Sequence, residues 1–367
     1  MQLLKPGGRS GIGERSIVAR MYTPKLASNA GSSIELSNLW NRVFGDDLSY
    51  IYRFYHHFQN HIDICIQCTP EDEIVSAAHF IPVSYRYFRQ DHNGSYLYAA
   101  MTDPEHRGNN LMGQLLELRL KQAYIDEEFF MCTLPAEQSL YDLYARFGFE
   151  PVFSLHRSTV SRQQLVNSRL TLSFSSKASP AYAYSSTFAR RELTILKDKI
   201  FIEYTSKEND ARNGAFRSVY SGYFYARQLS EDRVYVKELY LHGDNFPYIA
   251  HMLLELYPEA EQFVFDFCPA ACPDQFQYTS VRAGAGRITH AYNALCAYAK
   301  KHHDVALKFS LEDPIIEQNT ADYYMKDGIV KKTERKMELA PMSLSAFTRM
   351  ILTDGGGGMP YMNMMLD

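Results

Sequence analysis

The chain has no block of like charge. Its 38 basic and 42 acidic residues leave a formal charge of −4 and are scattered over 367 positions. That excludes the concentrated basic footprint of a nucleic-acid-binding protein, so no polyanionic partner is expected. No apolar run approaches the ~20 residues needed to cross a bilayer, and no apolar signal core stands near the N-terminus, so the reading expects no membrane span and a cytoplasmic location. Cysteine is sparse at six residues. Two close pairs, Cys65 with Cys68 and Cys268 with Cys272, are the only spacings that suggest a metal. Cys65 and Cys68 fall in a strand-like run, Ile62 to Cys68, where an odd offset sends side chains to opposite faces. Buried free thiols and no metal are therefore expected.

What is present is ordinary globular composition: 46% hydrophobic and 22% charged residues, with 27 Tyr and 22 Phe. Such a chain is packed for most of its length, and it is too long for one core, so two or three domains of about 100–200 residues are expected.

Met1 to Arg20 carry four glycines among basic residues with no periodicity, which reads as a mobile tail. Tyr22 to Leu26 reads as an opening strand, and Leu36 to Phe58 as two helices broken by Gly45, Asp46 and Asp47. Strands are expected at Ile62 to Cys68, Ile74 to Tyr87 and Ser95 to Met101, with Asp91 to Gly94 as the turn before the last. A loop, Thr102 to Asn109, leads into a helix from about Asn110 to Tyr124, followed by strand Phe129 to Leu134, helix Glu137 to Phe147 and a strand from Gly148. This is α/β (α+β) organisation, a mixed sheet flanked by helices.

Past a boundary near Ser161, strands are expected at Ile200 to Tyr204, Ser218 to Gln228, Arg233 to His242 and Phe263 to Phe267, with a helix from Tyr248 to Leu256. This repeats the strand–helix–strand plan of the first domain. After Ala283 to Gly286 come a helix, Ile288 to Lys300, a strand, Val305 to Leu311, and a hairpin at Asp327-Gly328, together a small α+β unit. The division is 1–20, 21–160, 161–283 and 284–367.

The chemistry-bearing stretch is Ser95-Tyr-Leu-Tyr-Ala-Ala-Met-Thr-Asp-Pro-Glu-His-Arg-Gly-Asn-Asn-Leu-Met-Gly-Gln-Leu-Leu116. A strand enters a polar loop that opens a helix. The N–H groups from Gly108 to Gly113 cannot all be satisfied within that helix and sit at the positive end of its dipole, where an anion fits. Arg107 adds charge, Gly108 lets phosphate approach the backbone, and Asn109 and Asn110 tolerate turn geometry.

This stretch resembles the phosphate loop of the GNAT superfamily of N-acetyltransferases, [R/Q]xxGx[G/A], with the match beginning at Arg107 and departures at Asn110 and Met112. The resemblance implies acetyl-CoA as co-substrate. It also implies backbone contacts from Ala100, Met101 and Thr102, and a cofactor loop of Arg107, Gly108, Asn109, Asn110, Leu111, Met112 and Gly113. A second stretch, Leu140-Tyr-Asp-Leu-Tyr-Ala-Arg-Phe-Gly-Phe149, is similar to the family's closing helix, which makes Tyr144 the implied general acid and leaves Tyr141 as the alternative. Cys132 is the candidate nucleophile for a ping-pong route, although no activating base is signalled near it in sequence.

The whole layout resembles the Eis-like acetyltransferases: a GNAT domain, a second GNAT-like domain without a working CoA loop, and a sterol-carrier-protein-like C-terminal domain. In the middle segment, Leu241 to Tyr248 has Asp244 and no arginine, a poor phosphate site. In that family the C-terminal carboxylate takes the proton of the attacking amine, a role that falls on Asp367. The partner implied is a small-molecule or peptide amine, and homo-oligomers are common in the family. A different class remains open: a non-catalytic CoA-, acyl- or lipid-binding protein using the C-terminal domain.

Overall fold

The computed structural model describes residues 22–27, 33–58, 60–169, 178–188, 191–219, 222–241, 246–335 and 339–366. The expected tail Met1 to Arg20, the loop positions His242 to Asn245 and the terminal Asp367 lie outside the described residues. The chain divides into two compact units, one of residues up to Ile81 with Leu97–Gln122, the other of Pro82–Tyr96 with residues from Ala123 onward.

The first unit holds β1 (Thr23–Ala27), α1 (Ser33–Phe44), α2 (Leu48–Phe58), β2 (Asp63–Cys68), the start of β3 (Ile74–Tyr87), the end of β4 (Gln90–Thr102) and most of α3 (Leu111–Ile125). Its strands run in the order β1-β2-β3-β4. Gly45, at φ 73°, ends α1 with its N–H on the Asn41 carbonyl at 2.8 Å. Two residues on, Asp47 starts α2 by accepting from the Ser49 N–H at 2.6 Å. The Gly45-Asp46-Asp47 break expected from sequence is thus a glycine stop followed by an aspartate start. The helices bury Leu36, Leu39 and Trp40 of α1 with Ile51, Phe54 and Phe58 of α2. Cys65 and Cys68 are both buried in β2 and free.

In the second unit the hairpin between β3 and β4 turns at Phe88 and Arg89, φ 49° and 59°, and not at Asp91 to Gly94. Two successive left-handed residues make the tight turn that matches strand twist. Asp91 serves the hairpin differently, accepting from Nε and one terminal nitrogen of Arg86 at 2.6 and 2.7 Å. Gly94 is needed for close approach: a Cβ there would lie 2.4 Å from Phe130.

The sheet of this unit continues β4-β5-β12-β6-β11-β10-β9-β8, through β5 (Phe130–Thr133), β6 (Glu150–Ser161), β8 (Ala215–Val219), β9 (Gly222–Ser230), β10 (Arg233–Leu241), β11 (Gln262–Phe267) and β12 (Thr279–Ile288). The short β7 (Thr194–Leu196) pairs with β3. Helices α4 (Gln138–Ala145), α5 (Arg162–Ser168), α6 (Pro180–Phe188), α7 (Lys199–Ala211) and α8 (Phe246–Leu256) belong to the same unit. β10 and β11 are parallel and are joined through α8, and they share a core of Val236, Phe246, Ile249, Leu253, Phe263 and Phe265.

Three sequence expectations fail here. The single strand expected at Ser218 to Gln228 is divided between the end of β8 and β9, which pair antiparallel. Ile200 to Tyr204 is helix, not strand. Asp198 caps α7 by accepting from the Phe201 N–H at 2.8 Å, and Phe201, Tyr204, Thr205 and Glu208 fall on its buried face. A five-residue window cannot separate period 2 from period 3.6 when both ends are apolar. Ile288 closes β12, where it pairs with Phe130, and the helix expected from Ile288 begins at Ala291 as α9 (Ala291–Lys301).

The remaining chain forms a four-stranded sheet, β15-β14-β13-β16, from β13 (Leu307–Leu311), β14 (Ala321–Lys326), β15 (Ile329–Thr333) and β16 (Pro341–Met342), with α10 (Leu344–Leu352) after it. The Asp327-Gly328 hairpin is present, both residues at positive φ. Arg287 of β12 and Asp313 are fully buried and paired, one guanidinium nitrogen lying 2.7 and 2.8 Å from the two carboxylate oxygens. Asp313 also accepts from the Ile315 and Ile316 N–H groups and from Asn319 Nδ2, each at 3.0 Å. Arg287 donates onward to the Phe147 carbonyl, just past the end of α4. Removing one member strands a buried charge, so Asp313→Ala should cost about 3–5 kcal/mol in denaturant unfolding; a loss under about 1 kcal/mol would mean the pair bears little of the fold.

Candidate functional site

In the first unit, β4 leads into the loop through Asp103, whose buried carboxylate organises it. Asp103 accepts from the Glu105 N–H at 3.0 Å, capping a single turn at Pro104–His106, and from Arg42 of α1 at 2.5 Å. Arg107 is exposed and donates through Nε to the Thr102 carbonyl at 3.3 Å, which leaves its terminal nitrogens outward. Gly108, at φ 84°, has nothing within 4 Å of where a Cβ would stand. Its use here is backbone conformation and not relief of crowding. Asn109 closes the loop by donating to the His106 carbonyl at 3.0 Å.

Helix α3 begins at Leu111, and its first intrahelical bond of i to i−4 type runs from the Gln114 N–H to the Asn110 carbonyl at 3.1 Å. The N–H groups of Leu111, Met112 and Gly113 therefore have no acceptor within the helix. Asn110 stands at φ 54° and lays its amide over Gly113, whose Cβ, if present, would be 2.2 Å from Asn110 Oδ1. The asparagine that departs from the phosphate-loop pattern is accommodated by left-handed backbone and by the glycine three residues on. Leu111 is buried and Met112 half-buried, so both anchor the helix start.

The approach to the loop carries a feature that sequence reading missed. Ala99 sits in β4 with φ 45°, an unusual conformation for a non-glycine strand residue. Beside it, Met101 is buried, and its carbonyl accepts from Ser76 Oγ at 2.9 Å. Ala100 and Thr102 are half-buried. The Ala99 carbonyl faces Nδ1 of His79 at 3.2 Å, and Nε2 of His79 lies 2.8 Å from the Tyr55 hydroxyl. A carbonyl only accepts, so Nδ1 carries the proton and Nε2 accepts from Tyr55. Burial keeps this imidazole neutral, pushing its pKa down to about 4. The ring packs against Trp40, with centroids 5.4 Å apart. The sequence signal was present but weak: the chain's one tryptophan, and one histidine inside an apolar strand.

In the second unit, Tyr144 lies on α4 and is 5% exposed. Burial raises its pKa to about 12, and a hydrogen bond with Thr133 of β5 offsets part of that rise. Gly148, at φ 81°, terminates the helix, and the Tyr144 carbonyl accepts from the Phe147 and Phe149 N–H groups at 2.9 and 3.2 Å. Tyr141 is half-buried under the Arg282 guanidinium, 5.5 Å from its ring centre. Cys132 is fully buried and its thiol is pushed far above the usual range, the opposite of an activated nucleophile.

The methionine-rich end of the chain is also in this unit and is packed. Tyr361 exchanges backbone bonds with Leu193 and Ile195 at 2.8 and 2.9 Å, and Asn363 donates to the Lys237 carbonyl at 2.7 Å. Lys237 in turn donates to the Met365 carbonyl at 3.0 Å. Met362, Met364 and Leu366 are buried. Gly284 makes room for Met362, whose Cε would be 2.0 Å from an added Cβ. Among the described residues, no group of His, Cys, Asp or Glu is placed to hold a metal, and no helix is long and apolar enough to cross a membrane.

Residues 29–152 match the family model for the acetyltransferase (GNAT) domain. The chain carries a GNAT acetyltransferase domain. The likeness to solved structures extends further. A protein from Enterococcus faecalis V583, described as a probable N-acyltransferase, superposes with a TM-score of 0.75 at 14% identity, covering 90% of each chain. Eis1 from Mycobacterium abscessus gives 0.70 at 11% identity over 90% of this chain and 89% of that one. A GCN5-related N-acetyltransferase from Anabaena variabilis gives 0.69 at 13% identity over 90% of each. At these identities the likeness establishes the fold, here over nearly the full length. A sequence search of curated proteins returns no match. With the GNAT domain comes its reaction class, acyl-CoA-dependent N-acyl transfer.

Because its folded pKa lies above the ~10 of an unfolded tyrosine, Tyr144 contributes stability below pH ~10 that is lost as pH rises through ~12. The difference between wild-type and Tyr144→Phe absorbance titrations should show no tyrosinate from this residue until about pH 12; a component near 10 would contradict its burial.

Proposed function

We propose that this chain transfers an acetyl group from acetyl-CoA to the amine of a small molecule or peptide by direct attack in a ternary complex. The observation that carries the reading is the start of α3: N–H groups without intrahelical acceptors, behind a left-handed Gly108 and beside an outward Arg107, within the matched GNAT segment. An anion such as the CoA pyrophosphate gains there both hydrogen bonds and the helix dipole. The residues present fit that group: Arg107 through Gly113 would hold the phosphates, and Ala100, Met101 and Thr102 would meet the pantetheine arm.

In the reaction, the amine nitrogen attacks the thioester carbonyl carbon, the C–S bond breaks, and the departing sulfur takes a proton. Tyr144 is the proposed donor, and its elevated pKa keeps it protonated through the neutral range. A backbone N–H of β4 stabilises the oxyanion. The terminal carboxylate of Asp367 is the proposed acceptor of the amine proton; Met362, Met364, Met365 and Leu366 before it are buried. Cys132 has no part in this scheme, since its buried thiol cannot supply a thiolate. The segment 284–367 is proposed as a sterol-carrier-like domain, and 161–283 as a degenerate GNAT-like one.

Calorimetry tests the first step. Wild type should bind acetyl-CoA, and Arg107→Glu, which replaces attraction by repulsion at the loop, should weaken binding by about 1–3 kcal/mol. A folded wild type that does not bind would turn the assignment toward a non-catalytic role. The proposed base makes a separate prediction: residues appended after Asp367 should lower turnover while acetyl-CoA affinity holds, and unchanged turnover would remove Asp367 from the mechanism.

A further inference from the structure

Four observations converge on one peptide group of the first unit. Ala99 departs from strand geometry at φ 45° in the middle of β4. Its carbonyl is held by a fully buried histidine, His79 of β3, at 3.2 Å. That carbonyl fixes the histidine's tautomer, and its other ring nitrogen accepts from the Tyr55 hydroxyl at 2.8 Å. Trp40 and Phe54 pack on the same imidazole, with centroids 5.4 and 5.9 Å away, so the ring has no room to turn. A neutral histidine, a tyrosine and a tryptophan form one lock, and what it grips is a backbone oxygen.

Among the described residues every peptide bond is trans. In a planar trans peptide the carbonyl and the following N–H lie in one plane and point in opposite directions, so fixing one direction fixes the other. We infer that His79, oriented by Tyr55, is a positioning residue that aims the Ala100 N–H as the oxyanion donor of the acyl-transfer step. The inference rests on the proposed acetyl-CoA chemistry and deepens it by naming which N–H of β4 acts and what holds it. The device suits the task. A donor preset for the developing charge needs no reorganisation when the charge appears, whereas a strand peptide left to relax at a left-handed residue would swing its N–H out of line. A neutral imidazole supplies the grip without adding charge beside the thioester. His79 touches no reacting atom in this scheme.

The test uses the full chain and acetyl-CoA labelled with carbon-13 at the carbonyl, so that no acceptor need be known. Hydrogen bonding to the carbonyl moves its resonance downfield on binding. His79→Leu, which keeps bulk but removes the donor, should lose most of that shift while binding CoA itself as wild type does by calorimetry. His79→Asn, whose amide nitrogen can stand near the position of Nδ1, should recover it. Tyr55→Phe is the milder variant if His79→Leu does not fold, and it should give a partial loss. Once an acceptor is found, the same substitution should lower kcat by about 10–100-fold, below the ~100–1000-fold cost of deleting a donor outright, with little change in KM. A full shift retained in His79→Leu or Tyr55→Phe would overturn the inference and leave the acetyltransferase reading standing. Absence of acetyl-CoA binding by wild type would overturn both.

Discussion

A strand whose N–H groups all pair with its neighbours has none to give to a ligand, and a helix hides its N–H groups everywhere except its first turn. The first unit places a departure from strand geometry and a helix start within one stretch of chain. β4 carries a left-handed residue at Ala99, and α3 opens at Leu111 with a turn of unsatisfied donors. Between them Asp103 ties the connection to α1 through Arg42, so the end of β4 and the start of α3 are held on a common scaffold. Without that rigid connection, the loop residues would be a solvated turn of the kind found in many proteins.

Polar groups buried without water demand partners, and much of this chain's long-range organisation consists of meeting that demand. In the second unit, the Arg287 and Asp313 pair joins β12 to the segment after β13, and the same guanidinium finishes the carbonyl at the end of the Tyr144 helix. Lys197, Glu238 and Tyr223 form a comparable buried group between β7, β10 and β9. Such networks are costly to break and give little net stability over an apolar core, so their effect is to make one arrangement of strands far better than a shifted one.

Much of the local architecture was legible because short-range rules governed it. Gly45 with Asp47 reads as a stop and a start from their chemistry alone, and Asp327-Gly328 reads as a hairpin. The loop from Arg107 to Gly113 was legible for the same reason, since a glycine, an arginine and two asparagines before an apolar helical stripe leave few alternatives. The reading failed where long-range contact decided. Phe88 and Arg89 are poor turn residues by preference, yet they make the β3–β4 turn, while Asp91 to Gly94 looked like a turn and became strand because Asp91 pairs with Arg86 and Gly94 admits Phe130. Ile200 to Tyr204 became helix because a cap at Asp198 and burial at Phe201, Tyr204 and Glu208 extended its period beyond the window in which alternation was read.

The sequence by itself determined the class of fold and the position of the polar loop and of the helix start that follows it, because capping and glycine conformational freedom act over a few neighbours in the chain. Tertiary structure alone decided that Ala99 would be left-handed and that His79 would hold its carbonyl. It also decided that Cys132 would be too buried to react and that the methionine-rich end would pack beside Lys237 and Gly284. Those outcomes depend on which strands and helices meet, and on how completely water is excluded where they do.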